Sequence, residues 1–266
     1  MNTEHGGAHP KPDTVIHLAN WTRAIREHKD LTRRKAEKTT SVSWHYLKDI
    51  ENNQVIPGPD VLESLIAGYQ LDRAQARLTR DLRRPPTPLP SVRELRRRIA
   101  TPARLRLLTQ LDPAHIALAY LDPLWNILTA NATFFALFPG AGAAATENLA
   151  RWSLPPDPDP SPAESVLIHP RDETRWLVGT LRSAFARYRD NPEVTDLYQQ
   201  LSRNKVFNHH WHRDIHVAHG RREDQYLHVR DPTTRKPYTL AVQLTEITDA
   251  PEIRGFLAWP QADDPG

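Results

Sequence analysis

Leu31-Thr32-Arg33-Arg34-Lys35-Ala36-Glu37-Lys38-Thr39-Thr40-Ser41-Val42-Ser43-Trp44-His45-Tyr46-Leu47-Lys48-Asp49-Ile50-Glu51-Asn52 is the stretch on which the fold of this chain turns. Its second half reads as an amphipathic helix, Ser43 to Asn52, with the Ser43 hydroxyl suited to cap it. Leu47 and Ile50 fall three residues apart and point inward, while Trp44, His45 and Lys48 share the outward face. The segment Thr32 to Thr39 reads as a shorter helix before it, with Arg33, Arg34 and Lys35 at its start. Outward from this pair, Leu18, Trp21 and Ile25 recur at helical spacing, as do Leu62, Leu65, Ile66 and Tyr69, then Leu71, Ala74, Leu78 and Leu82. Asp60 is the expected cap of the helix that carries Leu62. Five short helices over residues 15–84 predict a compact all-α domain, with residues 1–14 as a flexible polar tail.

Pro85-Pro86-Thr87-Pro88-Leu89-Pro90 follows and cannot sit inside a helix, so it predicts a semi-rigid spacer and the domain boundary. Val92 to Leu111 reads as one basic amphipathic linking helix, so that residues 85–110 connect two domains. Ile116 to Leu121 and Trp125 to Ala130 read as strands turned by Asp122-Pro123. Helical segments are expected at Thr133 to Phe138, Arg175 to Arg189 and Pro192 to Ser202. A second proline cluster, Pro155 to Pro162, is expected as an exposed loop. Gln225 to Arg230, Tyr238 to Leu244 and Phe256 to Trp259 alternate as strands do. Strands, then helices, then strands predict an α+β domain with an antiparallel sheet over residues 111–262.

Composition narrows the function classes. Of 266 residues, 39% are hydrophobic and 25% charged, enough to bury a core. With no cysteine there is no disulfide scaffold, cysteine-ligated zinc, iron–sulfur cluster or thiol nucleophile. No apolar run is long enough to cross a bilayer and no secretory signal is evident, so no membrane partner and a cytoplasmic, nucleoid-associated location are expected. Residues 1–110 carry 20 Lys and Arg against 12 Asp and Glu, and the remainder 15 against 20. A basic front suits a polyanion.

Val42-Ser43-Trp44-His45-Tyr46-Leu47-Lys48-Asp49-Ile50-Glu51-Asn52 resembles the second half of an XRE-family helix-turn-helix. In that family a buried Val precedes a capping Ser, and Tyr-Leu, Ile and Glu recur at these offsets. A small residue usually stands where this chain has Glu37, and glycine where it has Ser41. The departures place Glu37 at a rim and ask Ser41 for a left-handed backbone. The resemblance implies a recognition helix in the major groove, with Thr32, Arg33, Arg34, Ser43, Trp44, His45, Lys48 and Asn52 meeting double-stranded DNA. Lys48 would favour guanine acceptors.

Leu124 to Ala132, Asn148-Leu149-Ala150-Arg151-Trp152, Phe207 to Trp211 with Asp214-Ile215, and His228 to Pro232 are similar to MmyB-like actinobacterial regulators. These join an XRE domain to a PAS-like ligand-binding domain. The kinship implies a ligand-responsive, sequence-specific regulator, a homodimer on a palindromic operator, and a small apolar, fatty-acid-like effector. Control of an antibiotic biosynthetic cluster is a further implication. Phe134, Phe135, Phe138, Trp152, Trp176, Phe185 and Trp211 are the aromatics expected to line a partly hollow core.

Other constellations compete with this reading. His209, His210, His212, His216 and His219, with Asp214 nearby, form a metal candidate in which His212 and His216 would share a helix face. Without the glutamate of H-E-x-x-H, a solvated or packing cluster is the preferred reading, and no metal is assigned. A metal-dependent enzyme would rest on these histidines alone. No nucleophile elbow, phosphate-binding glycine loop or dinucleotide fingerprint occurs, so no catalytic residue and no cofactor is expected. A partner-binding protein with a degenerate helix-turn-helix is the remaining alternative. Arg93, Arg96, Arg97, Arg98, Arg104 and Arg106 read as a solvated face with some phosphate contact.

Overall fold

A computed structural model describes residues 15–143, 147–156 and 161–261, so the expected tail and the middle of the second proline cluster lie outside it. The front of the chain is α1 (Leu18–His28), α2 (Arg33–Thr40), α3 (Trp44–Glu51), α4 (Pro59–Gly68) and α5 (Arg73–Arg83). Side-chain caps set most of their starts. Thr32 accepts from the Lys35 amide, Ser43 from the Tyr46 amide, and Asp72 forms a capping box with Gln75. Asp60 does not cap α4: Gly58 stands at that position, Pro59 opens the helix and Asp60 lies in its first turn. Trp21, Ile25, Leu47, Ile50, Leu65 and Leu78 close the common core. The Trp21 indole donates to the Thr79 hydroxyl at 2.9 Å, tying α1 to α5.

The α2–α3 turn meets both departures from the family pattern. Ser41 adopts the left-handed region at φ 57° without glycine. Glu37 is half-buried, and the close approach comes from α4, where a Cβ on Gly68 would stand 2.4 Å from the Thr40 Cα and 2.5 Å from the Thr39 carbonyl.

The proline spacer is no free linker. The Thr87 amide donates to the Arg187 carbonyl at 2.8 Å and the Asn191 amide group to the Leu89 carbonyl at 3.1 Å, pinning the strap to the following domain. The expected single linking helix is two, α6 (Val92–Ile99) and α7 (Pro102–Leu111). Pro102 cannot donate to the preceding turn, and Thr101 caps a new helix there. Both helices lie on the sheet domain, α6 against its second and last strands and α7 against its first.

A short 3₁₀ turn (Asp112–Ala114) leads into β1 (Ala117–Leu121) and β2 (Ile127–Ala130). Then come α8 (Ala132–Leu137), α9 (Leu149–Ser153), α10 (Pro162–Val166), α11 (Pro170–Arg187), α12 (Pro192–Leu201) and α13 (Lys205–Arg213). The chain closes with β3 (Leu227–Arg230), β4 (Pro237–Ile247) and β5 (Ala250–Pro260). The five strands pair antiparallel in the order β2-β1-β5-β4-β3. An N-terminal helical domain followed by an α+β domain with an antiparallel sheet is the fold class the sequence predicts. The second proline cluster departs from an exposed loop, because Ser161 is buried and Pro162 opens α10. Strands β4 and β5 outrun their expected lengths and meet in a hairpin where Ile247 pairs with Ala250.

Candidate functional sites

The first site is the outer face of α3. Ser43, His45, Lys48 and Asn52 are exposed, and Trp44 is half-buried with its ring 3.5 Å from that of His45. Arg34 is exposed and sets its guanidinium 5.6 Å from the Trp44 ring. Thr32 is exposed at the start of α2. Arg33 is different: its Nε donates to Glu51 at 2.9 Å, so its charge is engaged inside the domain.

Glu51, the one acid on the inner face of α3, holds the helix in place. Its side chain is fully buried and accepts from Arg26 at 2.6 and 2.9 Å as well as from Arg33. Arg23 donates to the Glu51 carbonyl and to the Asn52 side chain, closing the end of α3. The fork-to-carboxylate geometry fixes α3 against α1 and α2 in register. The hydrogen bond from Arg26 to Glu51 raises the Arg26 pKa despite burial. Sequence reasoning had Glu51 only as a family feature. An acid one turn after Leu47 on an apolar face was the signal for its buried partners.

The second site is an apolar pocket of about 60 Å³ between the sheet and α11. Phe138, Trp152 and Trp176 line it, joined by Trp125, Leu227 and Phe256. Trp125 reaches it from a left-handed position in the β1–β2 turn (φ 67°), its indole donating to Thr180 at 2.9 Å. Arg221 and Glu173 form a bidentate pair on the pocket wall, one bond at 2.9 Å, with the guanidinium 4.8 Å over Trp176. Burial pushes the Glu173 carboxyl up against the opposing pull of Arg221. The space is too small for a long apolar molecule as it stands, so a guest of that size needs side chains to part.

The other expected pocket aromatics lie elsewhere. Phe134 is fully buried beside Phe138 and Phe256, and Phe135 is at the surface. Phe185 and Trp211 join Tyr198 and Phe207 in a separate aromatic cluster between α11, α12 and α13. Arg182 anchors that cluster. It is buried, lies 5.1 Å from the Trp211 ring, and donates to the carbonyls of His210, Trp211, Asp214 and His216. These carbonyls include ones that α13 leaves unsatisfied at its end. Burial pulls the Arg182 pKa down to about 10.

The histidines do not share one helix. His209, His210 and His212 lie on α13, which ends at Arg213, so His216 and His219 fall on the segment beyond and His212 and His216 share no helix face. His216 packs over Gly179 and His219 hydrogen-bonds the Ala74 carbonyl of α5 at 3.1 Å. Among the described residues no group of three or more His, Asp or Glu could hold a metal ion. In the arginine run, Arg96 pairs with Glu147 at 2.7 Å, Arg98 with Glu94, and Arg104 with Asp249, so half of that face is bound within the fold.

Residues 100–264 match a family described as the MmyB-like transcription regulator ligand binding domain. The chain belongs to that family. No curated protein matches it. The MmyB-like match begins in the short connection between α6 and α7 and takes in α7, the whole sheet and the apolar pocket. Membership makes the chain a transcription regulator with a ligand-binding domain. No helix among the described residues is long and apolar enough to cross a membrane.

Proposed function

We propose that this MmyB-like chain binds a specific double-stranded DNA sequence through α3, as a homodimer on a palindromic operator, and that a small apolar molecule in the pocket modulates the binding. The observation that carries this is the α3 face: His45, Lys48 and Asn52 stand clear in solvent while Glu51 locks the opposite face to α1 and α2. A short helix held this rigidly can enter a major groove with its first turn at the base edges. Lys48 and His45 read bases, while Arg34 and the Thr32 end of α2 meet phosphate. Two-fold symmetry doubles the contacts a single half-site offers.

For the effector, the apolar walls with one ion pair suit a fatty-acid-like molecule, whose carboxylate takes the place of Glu173 on Arg221 as the chain parts the aromatics. A biosynthetic gene cluster for a secondary metabolite is the first place to look for targets. The test is fluorescence-anisotropy titration on DNA upstream of the protein's own gene. Lys48→Ala is expected to weaken specific binding about 10- to 100-fold, from the roughly 1–3 kcal/mol of one base contact. Equal affinity of Lys48→Ala, His45→Ala and the parent for operator and random DNA would overturn the assignment of α3. Affinity indifferent to salt would favour a partner-binding role for the helical domain.

A further inference from the structure

A second cavity, of about 330 Å³, opens at the seam between the two domains. Its wall is built from α5, the proline strap and the C-terminal end of α11, and carries Arg77, Arg80, Asp81, Arg84, Thr87 and Arg187. Arg77 and Arg80, three residues apart, lie along one side of the end of α5, and Arg84 follows at its C-cap, where the backbone turns extended. Arg187 comes from the other domain, positioned by the bond from the Thr87 amide to its carbonyl.

The charge in this hollow is not balanced by the protein. Glu63 engages Arg80 in a bidentate pair at 2.7 Å. Asp81 is shared between Arg84 at 3.3 Å and Arg77 at 3.9 Å. The Arg187 guanidinium lies 5.4 Å from the Tyr188 ring. Four guanidinium groups therefore face one carboxylate on the wall and one behind it.

We propose that this seam is a binding site for a compact, multiply charged phosphate-bearing anion, separate from the apolar pocket. The guanidinium fork matches phosphate oxygens two at a time, and arginines converging from two domains can hold adjacent phosphate groups. The hollow takes such a group whole, whereas a duplex offers its phosphates along a convex surface. Placement also separates the seam from the α3 face, because α3 packs on α1 and α2 while α5 packs on α1, α4 and α11. An anion held there bridges α5 to α11 and draws the DNA-facing domain onto the ligand domain.

The experiment is calorimetric titration of the full chain with inorganic pyrophosphate, against sodium chloride of matched ionic strength. It uses no DNA and no apolar ligand, so its outcome is distinct from that of the regulator reading. Saturable one-to-one binding is expected, weakened about 10-fold by Arg77→Gln or Arg187→Gln and abolished by the pair, since each removes one charged hydrogen-bonding partner. Both side chains are exposed, and unchanged far-ultraviolet circular dichroism confirms that the variants fold. Heat no greater than that of the matched salt, or equal binding by parent and double variant, overturns the proposal. A separate DNA titration, in which the double variant loses affinity for operator and random DNA alike while the parent ignores pyrophosphate, also overturns it and assigns these arginines to the duplex backbone.

Discussion

Glu51 is the residue on which the presentation of α3 depends. With a fully buried carboxylate between Arg26 and Arg33, Glu51→Ala leaves the buried Arg26 with only the solvent-exposed Glu27 to pair with. The expected cost is about 3–5 kcal/mol, the range for breaking a buried pair from one side. Urea unfolding followed on the helical domain measures it, and Glu51→Gln, which keeps an acceptor, is expected to cost less. Asp214 makes a pH-dependent contribution. Burial alone raises its pKa, but the bond from Arg175, the His216 amide, and the charges of Arg175 and Arg182 reverse this and hold it at about 2. A carboxyl depressed in the folded state stabilises above its unfolded pKa, near 3.9, and loses that contribution as pH falls toward about 2. The stability gap between the parent and Asp214→Asn is therefore expected to be constant above about pH 5 and to close in acid. Thermal melts across that range check it.

At the scale of elements, the α2–α4 contact depends on one missing methyl group. A Cβ at Gly68 falls within 3 Å of the backbone of Thr39 and Thr40, which cannot swing aside as a side chain can. Gly68→Ala is expected to cost about 1–3 kcal/mol by overpacking, and to weaken DNA binding because α2 carries the turn that aims α3. Denaturant midpoints and operator titration read the two effects. The α2–turn–α3 unit was legible because Ser43, Leu47 and Ile50 give cap and period within one short stretch. The length of β5 was not: the expected strand covered only Phe256 to Trp259, whereas pairing starts at Ala250, just past the hairpin turn. The split of α6 from α7 was missed, because a basic periodicity runs through Pro102, the residue that marks it.

Across the whole molecule, one segment joins the pocket to the N-terminal helical domain. Arg221 closes on Glu173 and the Gly220 carbonyl accepts from Trp176 at one end of it. At the other, the Ile215 carbonyl accepts from Gln75, and His219, next to Gly220, meets the Ala74 carbonyl. A guest that displaces Arg221 moves the same backbone that holds α5, and the response is limited to its affinity difference between the two arrangements. Gln75→Ala with His219→Phe is expected to leave binding of a medium-chain fatty acid intact while operator affinity stops responding to it. Paired titrations of ligand and DNA separate the two. These connections were beyond the sequence because their partners lie far apart along the chain. The pocket itself was read in part: Phe138, Trp152 and Trp176 were named, but Trp125, Glu173 and Arg221 carry no local signal of convergence.

Trp176 gives this arrangement a practical use. Its indole lies under a guanidinium and 5.4 Å from Trp125, both on the pocket wall. Occupancy that lifts the cation away and separates the two rings alters their ultraviolet emission, so the unlabelled protein carries its own optical reporter for screening candidate effectors.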